Sequence, residues 1–97
     1  MAELSLAETE AIAREVINAI NQYTDEDIPS SKPIDEARKI KLLKDLGIQP
    51  MLLLQLSVPL TKISKKRKGR GVGVYESQGA KTVGDCIDLV VKSLPAS

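Results

Sequence analysis

Lys81-Thr82-Val83-Gly84-Asp85-Cys86-Ile87-Asp88-Leu89-Val90-Val91-Lys92-Ser93-Leu94 decides the fold class. Thr82 offers a side-chain oxygen to the free N–H groups of a helix start, and Asp85 stands at the third helical position. Val83, Ile87, Val90, Val91 and Leu94 then trace a stripe with a period near 3.6, and Pro95 stops it. An amphipathic helix with one buried face needs other helices to cover it.

Upstream, residues 61–81 are charged and glycine-rich, which predicts a long basic loop or a short hairpin at 62–75. Before it, Pro50-Met51-Leu52-Leu53-Leu54-Gln55-Leu56-Ser57-Val58 is apolar nearly all round and opens with the residue best suited to a first helical position. Such a helix is either central to the core or partly an interface, and Pro59 is expected to end or kink it. Ala37, Ile40, Leu43 and Leu46 predict a second, shorter helix over 35–46, with Gly47 past its end. Asp25 to Pro33 reads as a loop. Ser5-Leu6-Ala7-Glu8 has the form of a capping box, and Ile12, Val16 and Ile20 mark a first helix over roughly 5–23. The expected core is Ile12, Val16, Ile20, Leu46, Leu53, Leu56, Val83, Ile87 and Val90. The whole of 1–97 reads as one all-α domain.

Composition narrows the functions. The 97 residues hold two tyrosines, no Phe, no Trp, no His and a single cysteine. Base-stacking platforms, His-dependent triads, disulfides and the usual metal cages are disfavoured by that inventory. No cofactor, no metal and no catalytic residue is expected, and Cys86 reads as packing. Gly69-Arg70-Gly71-Val72-Gly73 lacks the Gly-Lys-Ser/Thr ending of a phosphate loop. No apolar run reaches the length of a membrane span, and the acidic Met1-Ala2-Glu3 start is unlike a secretory leader, so the cytoplasm is the expected compartment.

Net charge is only +1, yet the charges are segregated. Residues 1–27 carry seven acids against one base, whereas 62–70 carry Lys62, Lys65, Lys66, Arg67, Lys68 and Arg70 with no acid. The cluster either attracts an anionic partner or balances the acidic first helix.

Two segments resemble the acyl carrier protein family. Asp45-Leu46-Gly47-Ile48 precedes the apolar helix, and Lys81-Thr82-Val83-Gly84-Asp85-Cys86-Ile87-Asp88-Leu89-Val90 opens the last one. In that family the first segment runs Asp-Leu-Gly-x-Asp-Ser-Leu and the last helix commonly begins Thr-Val-x-Asp-x-Ile. The likeness spans roughly residues 8–94 and implies a small helical bundle that works in fatty-acid, lipid or polyketide metabolism. It also locates a departure. Gln49, Pro50 and Met51 fall where the family has aspartate, its phosphopantetheine-bearing serine and leucine. Pro50 has no hydroxyl to take the phosphate, and Ser57 is the nearest one downstream.

The resemblance thus implies a carrier-like module that has lost its attachment site and acts by protein contact. Met51 with Lys62, Lys65, Lys66, Arg67, Lys68 and Arg70 are the expected partner-binding residues. The expected partner has an acidic or apolar surface, such as an acyl-transfer or synthase enzyme. Two alternatives stay open: a true carrier modified at Ser57 or another serine, and a helical protein whose basic loop holds nucleic acid or another polyanion.

Overall fold

The computed structural model describes residues 5–29 and 31–95, and the reading of Met1 to Glu3 lies outside them. The described residues form six helices: α1 (Leu6–Asn21), α2 (Ile34–Ala37), α3 (Pro50–Gln55), α4 (Ser57–Lys66), α5 (Val74–Gln78) and α6 (Val83–Ser93). The protein is mostly helical, and the sole β-type pairing among the described residues is a bridge between Lys41 and Thr82. None of these helices is long and apolar enough to cross a membrane.

The two outer helices start as their sequences predict. Ser5 Oγ accepts the Glu8 N–H at 3.1 Å. At α6 the exchange is reciprocal: Thr82 Oγ1 accepts the Asp85 N–H, and Asp85 Oδ2 accepts those of Thr82 and Lys81. Helix α1 lies against α4 and α6, α4 packs on α6, and α3 is covered by α5. All nine expected core residues are buried at the centre, joined by Leu42, Ile48, Leu60 and Ile63. After α1 the chain turns back on itself through Asn21, whose side-chain amide donates to Ile28 O and accepts from Ile28 N–H.

Three expectations need correction. First, the helix predicted over 35–46 lasts only from Ile34 to Ala37. The chain leaves the helix because its carbonyls are wanted elsewhere. Arg38 O and Ile40 O accept the N–H groups of Gly84 and Val83, and the Leu42 N–H goes to Lys81 O. These bonds satisfy the open start of α6. They also explain Gly84, where an added Cβ would lie 3.0 Å from Arg38 O. As a result Leu42 is buried and Leu43 faces water, the reverse of the helical reading. Gly47 does adopt the left-handed conformation (φ +66°), but it closes a turn and not a helix.

Second, Pro59 does interrupt the middle helix, but the break falls one turn before it and not at Pro59 itself. With no N–H, it leaves Gln55 O without a ladder donor one turn earlier, and the interruption falls at Leu56 between α3 and α4. The neighbouring bonds Leu56 N–H to Leu52 O and Leu60 N–H to Leu56 O persist, so the two helices follow one another directly through Leu56.

Third, Lys62, Lys65 and Lys66 belong to α4, not to a loop or hairpin. Lysines in a last turn lie beside the free carbonyls, where the helix dipole favours positive charge.

Candidate functional site

The cationic cluster sits on a helix end of defined geometry. Arg67 caps α4, and the Lys68 and Gly69 N–H groups return to Lys65 O and Ser64 O at 3.0 and 2.8 Å. This is a Schellman closure whose left-handed position, usually a glycine, is held by Lys68 (φ +64°). The glycine comes one residue later for a separate reason. A Cβ on Gly69 would stand 2.1 Å from Ser64 Oγ and 3.0 Å from both Ser64 O and Ser93 O.

The six charges divide into two groups. Glu15, on α1, pairs with Lys66 at 3.3 Å and with Arg67. The Arg67 hydrogen bond, opposed by partial burial and helped by Lys66, holds the Glu15 carboxyl below the usual carboxylate range. Arg70 spans both carboxylate oxygens of Glu76 at 3.1 and 3.2 Å, and Glu76 Oε1 also accepts the Gly73 N–H. The Arg70 hydrogen bond likewise lowers Glu76. Half of the cluster therefore fastens α4 and the following turn to the rest of the fold. Lys62, Lys65 and Lys68 are exposed and make no ion pair with any described residue.

At the start of α3, Gln49 is extended (φ −74°, ψ 152°) and Pro50 begins the helix. Met51 is 72% exposed. An open groove beside them, about 750 Å³ in volume, is lined by Asp25, Glu26 and Asp45 but by one cation only, Lys44. An added phosphate there meets more like charge than opposite charge. Ser57 is 6% exposed, and Ser64, Ser77 and Ser93 are also buried, so none of these hydroxyls is presented to a modifying enzyme. Cys86 is buried in α6, where desolvation, helped by the Asp85 charge, pushes its thiol up to about 12. It is not a nucleophile at neutral pH. Among the described residues no group of three or more His, Cys, Asp or Glu side chains could hold a metal ion.

Of the expected partner-binding residues, Lys62, Lys65, Lys66, Arg67, Lys68 and Arg70 gather at the C-terminal end of α4, while Met51 stands at the N-terminal end of α3. Sequence reading missed two features. Glu15 and Glu76 pair with three of the six cations, and the Glu15 pairing, across more than fifty residues, leaves no local signal. Val58 (56% exposed) and Tyr75 (85% exposed) are further apolar groups left facing water. No protein-family model, no curated protein and no solved structure matches the chain.

Proposed function

We propose that the chain is an acyl-carrier-protein-like module without the phosphopantetheine serine, acting by non-covalent protein binding in fatty-acid, lipid or polyketide metabolism. The observation that carries this reading is Pro50. It stands first in α3, three residues after the Gly47 that closes the Asp45-Leu46-Gly47 turn, and it supplies helix geometry without a hydroxyl. The order of elements supports the same reading. A long amphipathic α1, a long connection, a middle helical segment from Pro50 and a last helix opened by Thr82-Val83-Gly84-Asp85 are in the order that the likeness implies, whereas the short α2 and α5 are not part of it. The burial of Ser57 counts against a displaced attachment site. The reading takes binding as the activity; the burial and raised thiol of Cys86 and a sequence without histidine support it.

Intact mass after co-expression with a broad-specificity phosphopantetheinyl transferase tests the reading. The expected mass is that of the unmodified chain. An added phosphopantetheinyl group on any serine overturns it.

A further inference from the structure

A strip of positive charge crosses from α4 to α6. Lys62 and Lys65 are exposed about one turn apart on α4, and Lys68 follows in the turn that closes it. The Lys65 stem runs beside Gly71, where an added Cβ would stand 3.5 Å from Lys65 Cε. Lys68 and Arg70 then meet Lys92 of α6 at one notch of about 370 Å³, and no carboxylate lines it.

The carboxylates around the strip are engaged within the fold. Glu15 is held by Lys66 and Arg67. On the other side of Lys92, Glu76 is held by Arg70, Asp88 by Arg38, and Asp85 by the N–H groups of Lys81 and Thr82. Lys62, Lys65, Lys68 and Lys92 are exposed and make no ion pair with any described residue. Their charge is therefore not used to hold the fold together. Lys68 makes the point most directly. It keeps a left-handed backbone (φ +64°) where glycine is usual, and its side chain has no ion-pair partner among the described residues to offset the strain.

Unpaired charge of one sign, set in a row that ends in a concave notch, is complementary to a chain carrying an anion at every unit. Phosphodiester oxygens project from their backbone and can enter the notch, whereas a flat bilayer surface cannot. A protein interface has a centre depleted of charge, but the middle of this strip is Lys65, Lys68 and Arg70. A single strand is flexible enough to pass from one helix to the next. Tyr75, exposed and next in sequence to the Glu76 that Arg70 grips, offers a ring on which an unpaired base can stack.

We infer that this strip binds single-stranded nucleic acid, with Lys62, Lys65, Lys68 and Lys92 on its phosphates and Tyr75 against a base. Ammonium groups act here as point charges on phosphate, so the contact reads no sequence. The inference does not rest on the carrier likeness. A modified serine leaves the strip intact, and a chain that ignores nucleic acid leaves the mass experiment unchanged.

Fluorescence anisotropy of a labelled oligothymidine, titrated with the purified full chain, is the test. Between about 50 and 200 mM NaCl the logarithm of the association constant should fall against that of salt with a slope of about −3, roughly 0.7 for each of the four lysines. The Lys65→Gln/Lys68→Gln/Lys92→Gln variant should bind at least about tenfold more weakly at low salt, with a slope near about −1. Its thermal unfolding should stay cooperative, since none of the three has an ion-pair partner among the described residues. The Lys39→Gln/Lys41→Gln/Lys44→Gln variant loses the same charge from the segment beside Thr82, at the far end of α6, and should bind as the wild type does. Tyr75→Ser should weaken binding about fivefold or more and leave the slope unchanged. Absence of binding by the wild type overturns the inference, as does equal loss in the two lysine variants or a Tyr75→Ser variant of unchanged affinity. Polyglutamate that displaces the oligothymidine charge for charge overturns it too, as do phosphatidylserine vesicles that bind the chain while the oligothymidine does not.

Discussion

Ser64 Oγ lies 2.6 Å from Ser93 Oγ, a buried hydroxyl pair that joins α4 to α6. The neighbouring bonds settle the direction of each proton. Ser93 donates to Val90 O at 2.6 Å, so Ser64 donates to Ser93, and Ser64 in turn accepts the Gly71 N–H at 3.1 Å. The chain of donors runs from the backbone after the Schellman turn, through both serines, into the carbonyl ladder of α6.

Removing Ser64 leaves the Gly71 N–H buried without an acceptor, which costs about 1–3 kcal/mol. Ser64→Ala should therefore lower the melting temperature by several degrees. Ser93→Ala, which leaves the Ser64 hydroxyl without its acceptor, should cost a similar amount. Because both act on one chain of bonds, the double variant should lose less than the sum of the two. Strict additivity in denaturant titrations would show that the two hydroxyls act separately.

Lys68 holds a left-handed backbone conformation that costs a side-chain-bearing residue about 1 kcal/mol or more. Its own side chain is exposed and unpaired. Lys68→Gly should raise stability by about 1 kcal/mol and the melting temperature by roughly 4–8 °C. Gly69→Ala, one residue on, should destabilise instead, since its Cβ would strike Ser64 Oγ and two backbone carbonyls. Thermal unfolding of the two single variants, read side by side, distinguishes them.

Glu15 fastens α1 to Lys66 and Arg67 across the surface. Its folded carboxyl titrates below its unfolded counterpart, chiefly through the Arg67 hydrogen bond. The stabilisation is therefore complete above the unfolded value of about 4.3, and it fades as the pH falls through the lower folded one. Glu15→Gln should cost about 1 kcal/mol at pH 7, discounted for exposure. The gap between variant and wild type should close in acid. Urea titrations at pH 7 and pH 3 measure it, and a gap that persists at pH 3 would assign the loss to packing.

Cys86 should resist alkylation. With its thiol pushed up to about 12 and its side chain buried, iodoacetamide at pH 8 should label the native protein far more slowly than the urea-unfolded chain. Rapid labelling of the native state would mean that α6 opens locally.

What could be read in the sequence was local. The Thr82–Asp85 exchange lies within four residues, and the stripes of α1 and α6 repeat within one turn, so both helices and the six core residues they carry were legible. The path from Arg38 to Ile48 was not. Its threefold spacing is helical, but its carbonyls are claimed by Val83 and Gly84, more than forty residues away. The cluster at 62–70 misled for a related reason. Six like charges argue against a helix only until Glu15 arrives from α1 to pair with two of them. For the site, Lys62, Lys65 and Lys68 were legible as charge, whereas Lys92, which α6 brings to the same notch as Lys68, was not.

The packing of α1 against α6 also sets a schedule for synthesis. Ile12, Val16 and Ile20 leave the ribosome early, yet the Val83, Ile87 and Val90 face that helps to cover them is made ~60 residues later. At roughly 5–20 residues per second, that face is missing for several seconds. During that interval the nascent α1 has only the short α2 and, later, α4 to lean on. A ribosome stalled within the last helix would hold a chain with an open apolar flank, which is the form that holdase chaperones and proteases recognise.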